Sequence, residues 1–71
     1  MTALDRLADW PAQTYAAQQE TIVTVRRAVL AAMETGQHGT ARTLVTELNA
    51  VNLDAGRKLR ADVVNAYSID L

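Results

Sequence analysis

The sequence has no cysteine and no phenylalanine, and only one histidine, one proline and three glycines. Without cysteine there are no disulfides, no thiolate metal sites and no cysteine nucleophile. A single histidine, His38, cannot build a multi-histidine metal site. Aromatic residues make up 4% of the chain, so the core has to come from Leu, Val and Ala. An excess of one charge is also lacking. The formal net charge is −1, which argues against coating nucleic acid by bulk positive charge. No apolar run approaches the roughly 18–20 residues of a membrane span, and the most apolar stretch, residues 25–33, contains Arg26 and Arg27. The first ten residues, MTALDRLADW, carry two aspartates and no apolar block, unlike a signal peptide. The chain reads as soluble and cytoplasmic. Glycine-rich phosphate loops, nucleophile motifs and paired metal carboxylates at helical spacing are missing. The expectation is a protein that is not an enzyme and takes no cofactor or metal.

What is present is material for helices. The chain of 71 residues is 49% apolar, enough for one small domain over residues 1–71. A chain of about 60 residues buries only about 60% of its unfolded surface, so regular packing and a partner subunit are expected to support it. Thr2 can cap a short helix over residues 2–9 with Leu4, Leu7 and Ala8, and Asp5 stands three residues on, as in a capping box. Trp10 precedes Pro11 and should be extended, with Pro11 in the first turn of the next helix.

Residues 12–35 contain no Gly or Pro and predict a second helix, although Thr21–Val25 is mostly β-branched. On a helical wheel Tyr15, Val25, Val29, Ala32 and Met33 fall within about 80° of Ile22. Val23 and Leu30 form a second stripe. So wide an apolar arc predicts two neighbours for this helix. Residues 36–39 read as a turn, with Gly36 left-handed after the helix end and Thr40 capping the next helix. The spacing of Ala32, Gly36, Ala41 and Leu44 resembles the bend of tetratricopeptide-type helical hairpins, over some 13 residues; it implies two closely packed helices.

Beyond the turn, Ala41, Leu44, Leu48, Val51, Ala55, Leu59, Val63 and Ala66 recur every three or four residues. That rhythm predicts one continuous helix over 40–67, roughly 40 Å long. The alternative is a break near 49–52. Leu44, Leu48, Val51 and Leu59 then resemble the core positions of a helix-turn-helix, with Asn49 left-handed in the turn and Asn52 capping a basic recognition helix. Ala50, Val45 and Gly56 depart from that pattern. The fold expected is therefore all-α: an antiparallel helical hairpin with a short N-terminal helix, dimerising into a four-helix bundle.

A few residues stand out. Arg26 interrupts an apolar arc, and antiparallel pairing brings it opposite Asn49, one turn from Glu47 and Asn52. Asp62 is the matching oddity in the second half, expected near Gln13 and within reach of Tyr15. Trp10, Val23, Leu30, Leu53 and Val64 are the candidate interface residues, for a dimer or another protein. Arg42, Arg57, Lys58 and Arg60 form a basic face that could meet an acidic partner or nucleic acid. The function expected is a non-catalytic interaction or regulatory module: an adaptor, an inhibitor or a mobile-element accessory protein acting as a helical homodimer. The alternative is a DNA-binding regulator with a degenerate helix-turn-helix at 41–60.

Overall fold

A computed structural model of the chain describes residues 2–69 and 71. It is all-helical, with four helices packed against one another: α1 (Ala3–Ala8), α2 (Tyr15–Glu34), α3 (His38–Val51) and α4 (Leu53–Tyr67). The capping box expected at the N-terminus is formed. The Asp5 N–H donates to Thr2 Oγ1 at 3.2 Å, and the Thr2 N–H donates back to Asp5 Oδ2 at 3.0 Å. Hydrogen bonding to the carboxyl from Thr2, through its backbone N–H first and its side chain second, holds Asp5 below its ordinary range. Leu7 is the residue by which α1 enters the core.

Trp10 and Pro11 depart from expectation. They belong to a 3₁₀ turn, Trp10–Ala12, instead of an extended residue followed by a helix start. The second helix begins three residues later than expected, because Thr14 is the cap: its Oγ1 accepts from the Ala17 N–H. Side chains lock this corner. Gln13 Nε2 donates to the Arg6 carbonyl, Gln18 Nε2 donates to the Trp10 carbonyl, and the buried Thr21 hydroxyl donates to Gln13 Oε1 at 2.7 Å. Thr21 is the polar core residue the wheel missed. Its two acceptors, Gln13 Oε1 and the Ala17 carbonyl, are what allow a hydroxyl to be buried there.

The turn after α2 is a Schellman motif. Gly36 is left-handed (φ +76), its N–H donates to the Met33 carbonyl, and the Gln37 N–H donates to the Ala32 carbonyl. Thr40 does not cap α3; the helix starts earlier, at His38, with Gln37 before it. α2 and α3 share the largest interface in the molecule.

The continuous helix over 40–67 is broken at one residue. Asn52 (φ −152, ψ 96) ends α3 and caps α4, its Oδ1 accepting from the Ala55 N–H at 3.1 Å. Asn49, expected to be left-handed in a turn, is helical inside α3. The break reverses the chain. Across α2 and α4 the paired residue numbers rise together, from Arg26–Asp62 to Glu34–Tyr67, so α4 runs parallel to α2. An unbroken second helix would have run antiparallel to α2 throughout. α4 instead folds back on α3, and Gly56 makes that possible. A Cβ at Gly56 would land on the Asn49 carboxamide and lie 2.8 Å from the Asn49 Cα.

The core consists of Leu7, Val25, Val29, Ala32, Met33, Ala41, Leu44, Val45, Leu48, Leu59 and Val63. Most of these lie on the arcs that the spacing drew. Tyr15 does not: it is 77% exposed. Ala66 is exposed as well, while Val45, off the expected arc, is fully buried. Val45 can be buried because α3 is enclosed by α1, α2 and α4.

Candidate interaction surface

The outer side of α4 carries the first surface. Leu53, Arg57, Arg60 and Val64 succeed one another at spacings of four, three and four along this helix, which gathers them on one side. Leu53 is 50% exposed, Arg57 and Arg60 are exposed, and Val64 is half-buried. Among the described residues neither arginine makes an ion pair. Asn52 positions the row, since it fixes where α4 begins. Lys58 is exposed but not free, with its amine 3.6 Å from Asp62 Oδ2. Arg42 is exposed in the first half of α3, so the break puts it on a different helix from the other basic candidates.

The second surface is the outer side of α2. Val23 is 47% exposed, with Glu20 and Arg27 exposed one turn to either side. A shallow groove runs past it, bordered by Arg6, Gln19 and Thr24. Arg6 comes no nearer to Glu20 than 4.0 Å. The other expected dimer contacts face inward in part: Leu30 and Trp10 are half-buried and pack on the core.

The sequence missed three constellations. Arg26 and Asp62, the two oddities, are partners of each other at 2.7 Å, not of Asn49 and Tyr15. The Arg26 guanidinium, followed by the Lys58 ammonium, holds the Asp62 carboxyl below its ordinary value of 3.8 against the opposing effect of desolvation. The Tyr67 hydroxyl donates to Glu34 Oε1 at 2.8 Å, and stabilisation of its protonated form raises the phenol above 10.0. Both pairs join α2 to α4. Neither is visible from the sequence without knowing that the two helices run in the same direction. The third is an uncharged groove of about 680 Å³ between α1, α2 and α3, lined by Ala3, Leu4, Ala28, Ala32, Thr40 and Leu44 among others.

His38, the first residue of α3, is exposed. Among the described residues no cluster of three or more His, Cys, Asp or Glu could hold a metal ion, and no helix is long and apolar enough to cross a membrane. The chain matches no family model, no curated protein and no solved structure.

Proposed function

We propose that this chain is a small non-catalytic interaction module, of the adaptor, inhibitor or accessory-protein kind, and that it acts as a homodimer. The observation that carries this reading is the row on α4. A half-exposed leucine is followed along one helix face by two arginines without ion-pair partners among the described residues. Such a row suits an acidic amphipathic helix, with Leu53 and Val64 taking its apolar side and Arg57 and Arg60 its carboxylates. Purification from the native host tests it, comparing the wild type with the double variant Leu53→Glu, Arg57→Glu. A protein that co-purifies with the wild type and is lost from the variant supports the reading. A partner retained by both overturns the role of this face.

A DNA-binding regulator is the second reading, and the break at Asn52 favours it. α4 starts where a recognition helix would start, and it carries Arg57, Lys58 and Arg60. Against it stand a one-residue junction, shorter than the usual three or four, and the ion pair that draws Lys58 to Asp62. DNA binding by this helix should fall steeply with salt. An Arg57→Ala, Arg60→Ala variant that shifts DNA with unchanged affinity removes this reading.

A further inference from the structure

We propose that the outer face of α2 is the self-association surface, and that two copies meet there antiparallel across a two-fold axis between Val23 and Thr24. This deepens the homodimer part of the proposed function and rests on it, but it uses a different face from the α4 row.

The argument is self-complementarity. A C2 interface uses the same patch twice, so residues must match their mirror positions along the helix. Along the exposed side of α2 lie Ala16, Glu20, Val23, Thr24, Arg27 and Ala31. About a centre between Val23 and Thr24, Glu20 of one copy comes opposite Arg27 of the other, and the symmetry repeats the pair. Val23 meets Thr24 at the centre. Ala16 meets Ala31 at both ends, and small residues there let two helix backbones approach closely. All six are exposed except Thr24, which is half-buried. A centre between Leu30 and Ala31 would pair Arg27 with Glu34 twice as well, but Glu34 already accepts from the Tyr67 hydroxyl of α4 and Leu30 packs on the core.

The charges are available for such use. Arg27 has no ion pair among the described residues, and Glu20 has only Arg6, at 4.0 Å. A contact along a helix of 20 residues is about 30 Å long. That length suits a small interface with a weak, concentration-dependent equilibrium rather than an obligate dimer.

Sedimentation equilibrium over micromolar to millimolar concentrations tests the proposal, with circular dichroism to confirm that each variant is folded. The wild type should show a monomer–dimer equilibrium. Glu20→Arg and Arg27→Glu should each weaken it about tenfold or more, since each puts like charges opposite one another twice. Mixing the two single variants restores both pairs in a heterodimer, and the double variant Glu20→Arg, Arg27→Glu restores them in a homodimer. Recovery in both, to within about threefold of the wild type, supports this axis. A wild type that stays monomeric overturns the proposal. So does a dimer that ignores both single swaps, or single losses that neither the mixture nor the double variant repairs. None of these outcomes alters capture of a protein through Leu53 and Arg57, so failure here and failure of the α4 reading are separately visible.

Discussion

At Gly56 the space that a side chain would need is already occupied by Asn49. Gly56→Ala gains helix propensity, about 1 kcal/mol. The clash reaches the Asn49 backbone, so the net effect is a loss of about 1–3 kcal/mol, as for other overpacked sites. Asn49 Oδ1 is itself buried and accepts no hydrogen bond among the described residues. Asn49→Ala removes that acceptor and should leave stability unchanged or raised in urea unfolding. It should also recover part of the loss in the Gly56→Ala background. A second prediction concerns Tyr67. In a Tyr15→Phe background a spectrophotometric titration reads Tyr67 alone, and its ionisation should fall above pH 10.0. Glu34→Gln should bring it down, because the carboxylate is the chief cause of the rise. The raised value means a contribution to stability that is present below the unfolded pKa and is lost as pH rises through the folded one. Single residues were legible where their chemistry is local. The pairing of Thr2 with Asp5 needs only four residues of sequence. Arg26 and Asp62 were legible as misfits, but their union depends on a reversal of the chain far from both.

That reversal belongs to the element scale. The three-and-four rhythm of Leu44, Leu48, Val51, Ala55 and Leu59 runs through the break without a missed beat. It does so because α3 and α4 both turn an apolar side inward, and Val51 and Ala55 flank the junction half-buried. Periodicity reports which side is apolar and says nothing of direction. The stronger local signal was Asn52, a good cap in the middle of an apolar pattern. Asn52→Ala should cost about 0.5–2 kcal/mol through the lost bond to the Ala55 N–H, read as a lower Tm. Gly36 is the contrasting case, since its left-handed role was readable from its position after a helix of good propensity. Gly36→Ala should cost about 1–2 kcal/mol, the strain of a left-handed residue with a Cβ, also read as a lower Tm.

For the whole molecule, the break changes what size alone implied. The chain exposes 4403 Å², close to the roughly 4,300 Å² expected of an ordinary folded monomer of 7.7 kDa. Its radius of gyration of 11.3 Å also matches the roughly 11 Å of a compact chain of this length. A hairpin of two long helices would have left α2 short of a neighbour; α4, folding back, supplies it. The physical need for a second copy is correspondingly reduced, and self-association becomes a property of one helix face. Stability remains small for so short a chain, about 4–10 kcal/mol on general scaling. Leu48 is fully buried, and Leu48→Ala, at about 3–5 kcal/mol, should remove a third or more of that margin and appear as a much lower Tm.

The parallel course of α4 beside α2 carries a further consequence, for the order in which the molecule comes apart. α2 and α3 are joined by a three-residue turn and share the largest interface, whereas α4 reaches α2 through a smaller one that includes Arg26–Asp62 and Glu34–Tyr67. Asp62 has a lowered pKa, so its stabilising effect is complete above the unfolded value near 3.8 and fades as pH falls through the lower folded one. Acid therefore loosens the two outer elements, α4 through Asp62 and the α1 cap through Asp5, ahead of the α2–α3 pair between them. Hydrogen exchange followed from neutral pH down through that range should find the amides of α4 losing protection while those of α2 and α3 keep theirs. Asp62→Asn should erase the difference by making α4 exchange early at every pH. On that outcome the asparagine at position 52 would mark a boundary of cooperativity, between a hairpin joined by a short local turn and a last helix that closes over it.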